Sequence, residues 1–454
     1  MKTFSLPKFL FALSFLLLTN LSIEAQSLYQ QILSMIDSVS TENLTNHIQW
    51  LEEPGGENSR VNFTPGNDSA SVYIKNEFDK INGLTSVEFD TFYIPSANPP
   101  LNLKPMVNVV ATLEGTANPE TYFVIGAHLD CSASRMGQSI WNSQWSTITA
   151  PGADDNATGI AAILEIARIL ADPANNFDHA VTLKFIAFGA EESGPAYSGS
   201  HHGSRHYAKY AKENNHNVLG MVSIDMIGYN PSFDYQSIVS NNASVSFAEQ
   251  FINANNIFSI DLILEGPPFP YGTYSDHDTF WDEGYQAVLF IENGPPWNSN
   301  GYYSANPYYH KSTDTYETLN MELVTKVTKL NLAAFAAFSG PLTDIAETEI
   351  TIPEQFSLSQ NYPNPFNPTT KIKFTIPTSP LNPSPYQGEG NRERFINLTI
   401  YDILGNEIAT LIDEQKQPGT YEVEFSATGL SSGIYFYRLT AGNASITKQM
   451  MLVK

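Results

Sequence analysis

Hydrophobic residues near the start of the chain recur at helical spacing. Leu28, Ile32 and Ile36 fall on one helix face and Leu44, Ile48 and Leu51 on another, with Ser40-Thr41-Glu42 supplying cap chemistry between them. A third helix is predicted over 70–81, followed by extended runs over 85–93 and 106–113. The pattern then changes. Near-continuous apolar runs at 122–127, 181–189, 218–226 and 287–291 read as strands buried on both faces, and helical patterns at 160–170, 246–255 and 321–338 alternate with them. This predicts an α/β fold with a mostly parallel central sheet flanked by helices.

Beyond residue 340 the character is different. A linker is expected over 341–353, and 354–454 holds short alternating runs at 371–376, 396–401, 407–412, 421–425, 434–439 and 446–453. Turn cues such as Gly405-Asn406, Pro418-Gly419, Ser432-Gly433 and Gly442-Asn443 punctuate them, which predicts a small antiparallel β-sandwich. The stretch 378–394 is rich in Pro, Ser and Gly without apolar periodicity and is expected to be a disordered insert. At the other end, Lys2 and Lys8 precede the apolar run 9–18, and Ala25 offers a small residue for cleavage. This is the pattern of a secretory signal peptide over 1–25, too short for a membrane span, which leaves 26–340 as the main domain. No later run is long enough to cross a membrane, so a soluble exported protein is expected.

Composition narrows the choice of partner. The chain has 454 residues, more than one ordinary core can hold, and its 42% hydrophobic content is that of a folded protein. With 47 acidic against 23 basic residues, a net charge of -24 excludes nucleic acid and anionic membrane as the main partner. Cys131 is the sole cysteine, so no intrachain disulfide can form; beside His128-Leu129-Asp130 it invites a ligand reading, but a small buried thiol is expected.

The chemistry gathers where strands end. His128, Glu191, Glu192, Asp225 and Glu292 follow apolar runs, and ligands collect at the carboxyl ends of strands in such sheets. Between Gly152 and Gly159, Asp154 and Asp155 occupy a turn before a helix. Two histidines and three carboxylates, one of them shared, can give each of two zinc ions three protein ligands. Such a pair holds a hydroxide and polarises a carbonyl. Glu191 and Glu192 point to different sides in extended backbone, so one can ligate while the other serves as base; spacing does not choose between them. Taken singly, His128 is a satisfied strand-end histidine, Asp154-Asp155-Asn156 a helix cap, Glu191-Glu192 a solvated pair and Asp225 a turn residue. Their joint placement favours a shared site, with Asp154 left to the cap or turn. His201 and His202 are expected to be solvated loop histidines. Trp141, Trp145, Tyr271, Tyr274, Phe280 and Trp297 are expected on core faces before any pocket.

Six ordered motifs add a resemblance. Gly126-Ala127-His128-Leu129-Asp130, Gly152-Ala153-Asp154-Asp155-Asn156, Ala190-Glu191-Glu192, Ile224-Asp225-Met226, Ser275-Asp276-His277 and His310-Lys311-Ser312-Thr313-Asp314 resemble the co-catalytic zinc aminopeptidases of the bacterial leucyl aminopeptidase type, over roughly 40–340. The resemblance implies two zinc ions per chain. His128 and Asp225 would hold one and Glu192 and His310 the other, with Asp155 bridging, Glu191 as general base and Asp130 orienting the His128 ring. It implies a secreted, monomeric aminopeptidase acting on peptide or protein N-termini through a metal-bridging hydroxide. Gly203-Ser204 fits the family pattern, which makes 195–202 an insertion, and His277 belongs to a structural turn. The family prototype has a disulfide loop and a tyrosine near the position of Ser275; here there is no such cysteine, and Tyr271 or Tyr274 is the candidate in the substrate pocket. Competing expectations are a glutaminyl cyclase-like enzyme with one zinc and an inactive surface binding module.

The C-terminal region has its own resemblance. Leu358-Ser359-Gln360-Asn361-Tyr362-Pro363-Asn364-Pro365-Phe366-Asn367-Pro368, Tyr401-Asp402-Ile403-Leu404-Gly405 and Gly433-Ile434-Tyr435-Phe436-Tyr437-Arg438-Leu439 resemble a type IX secretion sorting domain. This implies the type IX machinery as partner and a secreted or cell-surface location. An adhesive or carbohydrate-binding sandwich is the competing expectation.

Overall fold

The predicted helices and strands form near where the apolar periodicity places them, with boundaries set by local caps. In the computed structural model, which describes residues 28–266, 272, 274–293, 301–340, 357–376, 394–402, 406–416, 419–441 and 444–453, α1 spans 28–37. Helix α2 (Thr41–Glu52) buries Leu44, Ile48 and Leu51, and the Ser40 side chain accepts from the Asn43 N–H at its start. Helix α3 (Pro65–Asp79) begins earlier than the periodicity predicts, because Thr64 caps it and Pro65 suits a first turn. The expected signal peptide and linker, and the expected insert up to residue 393, lie outside the described residues.

The strands that follow are β1 (Ser86–Phe92), β2 (Met106–Leu113), β3 (Asn118–His128), β4 (Val181–Phe188), β5 (Asn217–Ile224), β6 (Tyr235–Ser240), β7 (Ile263–Glu265) and β8 (Ala287–Ile291). They form one sheet in the order β1-β2-β4-β3-β5-β8-β6-β7. Its centre, β4-β3-β5-β8, is parallel as predicted. The β1-β2, β2-β4 and β6-β8 pairs are antiparallel, so the sheet is mixed toward its edges. Helices α4 (Gln138–Gln144), α5 (Thr158–Leu170), α6 (His202–Glu213), α7 (Val245–Ile257), α8 (His277–Asp282) and α9 (Met321–Ser339) complete this unit. In α5 only Arg168 escapes burial. That is the signature of a helix enclosed on every side, and α5 packs on β3, α2 and α9. No helix among the described residues is long and apolar enough to cross a membrane.

The second unit, 344–454, has strands and no helix in its described part. Strands β9 (Ser357–Leu358), β10 (Thr369–Ile376) and β13 (Gly419–Ser426) make one antiparallel sheet. Strands β11 (Arg394–Tyr401), β12 (Glu407–Lys416), β14 (Gly433–Ala441) and β15 (Ala444–Leu452) make the other. Alternate residues Ile372, Phe374 and Ile376 share one core with Ile396, Leu398, Ile400, Tyr437 and Leu439, the arrangement of a sandwich. The buried Tyr437 hydroxyl donates to the Ser359 carbonyl and accepts from the Asn361 N–H, fixing the segment that opens the unit.

Candidate metal centre

Strand register delivers the first ligands. Gly126 on β3 lies opposite Ser223 on β5, so two residues on, the strand ends bring His128 beside Asp225. Register with β4 sets His128 against Phe188, and the chain past Phe188 carries Glu191 and Glu192 over the same edge. Four non-glycine residues at this edge hold the left-handed backbone that L side chains disfavour: Ala190, His201, Met226 and His310, with φ of 55°, 55°, 50° and 56°. Such conformations collect at sites where surrounding contacts over-determine the backbone.

The side chains converge as two triads that share one residue. His128 Nε2 lies 3.1 Å from Asp155 Oδ1 and 3.3 Å from Asp225 Oδ1. His310 Nε2 lies 3.0 Å from Asp155 Oδ2 and 2.7 Å from Glu192 Oε1. One oxygen of Asp155 thus faces each histidine. Ligand atoms at ordinary zinc distances around a tetrahedral ion sit ~3.3–3.6 Å apart, so this spacing is close to that of a metal shell. The charge balance points the same way. Asp130, Asp155, Glu191, Glu192 and Asp225 are all buried, and burying carboxylates in excess of cations is costly unless a metal compensates them.

The loop carrying Asp155 is held from several sides. Gly152 has φ of 58°, and a Cβ there would sit 2.6 Å from Cys131 Cβ and 2.5 Å from the Asp155 carbonyl oxygen. The buried Arg60 guanidinium donates to the carbonyls of Leu51, Leu129, Pro151 and Gly152, joining this loop to the one after His128. Asp314 accepts from the N–H groups of Asp154 and Asp155 at 2.9 and 3.1 Å. Asn156 donates to the Ile224 carbonyl and accepts from the Gly159 N–H, so it performs the capping assigned above to Asp154. Asp154 instead is a buried carboxyl. It accepts from the Gly228 N–H and from Asn306, and Asn306 also donates to Glu292. Cys131 is the expected buried thiol: its Sγ donates to the Ala150 carbonyl, and burial pushes its pKa up to about 12.

Glu191 and Glu192 part as expected. Glu192 faces His310, and Glu191 turns to the far side of the centre, where burial pushes its carboxyl up to about 7 while His128 and His201 draw it back. Asp130 accepts from the N–H groups of both glutamates and from Asn62. Its Oδ1 stands 3.6 Å from His128 Nδ1, too long for a hydrogen bond, so its firm contacts are with the glutamate backbone. The expectation for His201 fails. His201 is buried, with Nε2 at 3.0 Å from Glu191 Oε1 and Nδ1 at 3.0 Å from Asp278 Oδ1. Burial opposes the charged ring, yet Glu191 and Asp278 push it up to about 11. His202, half-buried, has Nε2 near the Ser198 carbonyl oxygen. His277 is the expected structural residue, buried with Nε2 at 2.6 Å from the Gly272 carbonyl oxygen.

Among the aromatics, Trp141 packs with Val61, Ala133 and Ile148, and Phe280 is fully buried. Tyr271 and Trp297 lie outside the described residues, and Tyr274 is 52% exposed. The tyrosine at the centre is Tyr309, which stacks on His310 with ring centroids 3.8 Å apart. Burial, then the charges of Asp155, Glu192, Glu191 and Asp225, raise its pKa. Asp276 and Asp278 also join the cluster around Glu191 and His201. Asp276 lies in the Ser275-Asp276-His277 motif, Asp278 directly follows it and Tyr309 precedes His310, and only that adjacency could have drawn attention to these residues.

A mixed α/β sheet with imidazole and carboxylate triads at the carboxyl ends of its strands defines the class of α/β metallohydrolases. The chain belongs to peptidase family M28, which it matches over residues 108–335. Residues 360–454 match the secretion system C-terminal sorting domain, so the second unit is a sorting domain for export. A probable zinc metalloprotease of Pyrenophora teres f. teres is 30% identical over 217 residues, which cover 45% of this chain and 42% of that protein. The chain thus spans less than half the length of such curated relatives. In fold it is similar to the LapA aminopeptidase of Legionella pneumophila, with a TM-score of 0.54 and 19% identity over 69% of this chain and 75% of that one. It is also similar to the glutaminyl cyclase of Porphyromonas gingivalis, with a TM-score of 0.52 and 16% identity over 65% and 97%.

Proposed function

We propose that the chain is a secreted di-zinc aminopeptidase that hydrolyses the first peptide bond of peptides and proteins. The observation that carries this reading is the division of Asp155, with Oδ1 toward His128 and Oδ2 toward His310. His128, Asp155 and Asp225 would hold one zinc, and Asp155, Glu192 and His310 the other. Bound zinc supplies Lewis acidity that lowers the pKa of water and polarises the scissile carbonyl.

The remaining work falls to the chain. Glu191 accepts a proton from the attacking water as its oxygen bonds to the carbonyl carbon. It then gives that proton to the nitrogen as the C–N bond breaks, leaving a carboxylate and a free amine. Tyr309, stacked on His310 and kept protonated by burial among the carboxylates, is the candidate to donate a hydrogen bond to the developing oxyanion. The sorting domain would hand the enzyme to the type IX machinery, which places it outside the cell or on its surface.

The test is zinc per chain together with hydrolysis of aminoacyl arylamides. Two zinc ions and a loss of about 10²–10⁴-fold in Glu191→Gln are expected. Undiminished hydrolysis by that variant refutes the base, and one zinc with cyclisation of N-terminal glutamine favours the cyclase.

A further inference from the structure

Glu191 has a partner that the catalytic reading does not use. His201 arrives from the stretch 195–202 and reaches Glu191 twice. Its N–H donates to the Glu191 carbonyl at 2.8 Å, and its Nε2 lies 3.0 Å from Glu191 Oε1. The next residue repeats the clip, with the His202 N–H donating to the Ala190 carbonyl at 2.8 Å. On the other side of the ring, Asp278 at the start of α8 holds Nδ1 at 3.0 Å. The side chains of His201, Glu191 and Asp278 are 8%, 9% and 12% exposed, so water competes little for these bonds. His201 also keeps a left-handed backbone, with φ of 55°, immediately before α6, where the Ser204 hydroxyl donates to its carbonyl.

A carboxylate that must take a proton from one position and deliver it to another works only if its rotation is restricted. Glu191 follows a strand end, and the partner that restrains its side chain is His201, at the far end of the same connection between β4 and α6. The imidazole, gripped from behind by Asp278, occupies one oxygen and leaves the other to the reacting centre. We propose that His201, fixed by Asp278, is a positioning residue that sets the orientation of the Glu191 carboxylate. This inference rests on the reading of Glu191 as general base. It makes the stretch 195–202 part of the catalytic apparatus rather than a surface embellishment.

The test is a cycle on the zinc-loaded full chain, using Glu191→Gln, His201→Leu and the double variant, with kcat, KM and zinc content measured for each. His201→Leu is expected to lower kcat about tenfold to a hundredfold, as misplaced reacting groups do, while KM and two zinc ions per chain are retained. His201→Gln, whose amide can donate to the same oxygen, should recover most of the loss. The double variant should be no slower than Glu191→Gln alone, because both changes act through one group. Losses that multiply in the double variant, a loss carried by KM, or a His201→Gln variant as slow as His201→Leu would overturn the proposal. Should His201→Leu fail to fold, Asp278→Asn serves in its place and must show a smaller fall in kcat at unchanged KM. Normal activity in Glu191→Gln removes the base and this proposal together, whereas an inactive Glu191→Gln beside an unimpaired His201→Leu removes this proposal alone.

Discussion

The two halves of the candidate centre use the same kinds of donor and are built in opposite ways. His128 and Asp225 stand at the ends of neighbouring parallel strands, so sheet register sets their approach, and the His128 side chain is 1% exposed. Among the described residues, His128 Nδ1 has no hydrogen-bond partner. His310 comes from a loop, and its side chain is 13% exposed. It is steadied by side chains instead: its Nδ1 is 2.9 Å from the Ser134 hydroxyl, and Tyr309 lies flat against the ring. A sheet can place an imidazole through backbone alone, whereas a loop needs a partner for the far nitrogen.

Removing the shared residue should have the largest effect. Asp155→Ala takes a donor from both halves, so activity should fall by more than about 10⁴-fold, beyond the loss from the base alone, with zinc content below that of any single-triad variant. Retention of two zinc ions would break the division into two triads. The contrast between the halves is next. Ser134→Ala should weaken zinc at the His310 triad about tenfold to a hundredfold and leave the His128 triad unchanged. Titration with a chelator should then release one zinc early and one late, and equal weakening of both would erase the distinction.

A third prediction concerns the stability of the frame rather than the activity of the site. Burial pushes His277 down to about 4, against the pull of Asp278, so it is neutral in the fold. The unfolded chain takes up this proton near pH 6.5, so the contribution is intact above that pH and is lost as pH falls toward about 4. The loss should reach the order of 3 kcal/mol. Denaturant melts at pH 7 and 4.5 should therefore converge for His277→Gln relative to wild type, and parallel declines would show that His277 does not set the slope.

What could be read from sequence was whatever depends on neighbours along the chain. The strands preceding His128, Glu191 and Asp225 are continuous apolar runs, and their parallel order follows from alternation with helices. The shared role proposed for Asp155 follows only from motif order. Its two faces depend on His310, a residue 155 positions away in the chain, so no local pattern carries that information. His201 was misjudged for a similar reason. Polar neighbours in Gly199-Ser200-His201-His202 look solvated, and only tertiary contacts with Glu191 and Asp278 bury the ring. Asp154 lies in the expected turn, but its carboxyl meets Asn306 while Asn156 accepts from the Gly159 N–H at the start of α5, contacts that the local sequence does not reveal. Strand β6 was missed although all six of its residues are buried, since Tyr235-Gln236-Ser237 interrupts the apolar pattern that a strand between two others would ordinarily show. Arg60 gave no signal, because its partners are four carbonyls and any residue type could have supplied them.

The grip of Asp314 on the Asp154 and Asp155 N–H groups has a consequence for how such an enzyme can change over evolutionary time. It ties the end of the segment that carries His310 directly to the loop that carries Asp155, while Tyr303 and Asn306 fasten an earlier part of the same segment to Glu292. Substitutions elsewhere in the chain can therefore accumulate without unseating His310 from Asp155, because these contacts carry the relation between the two segments.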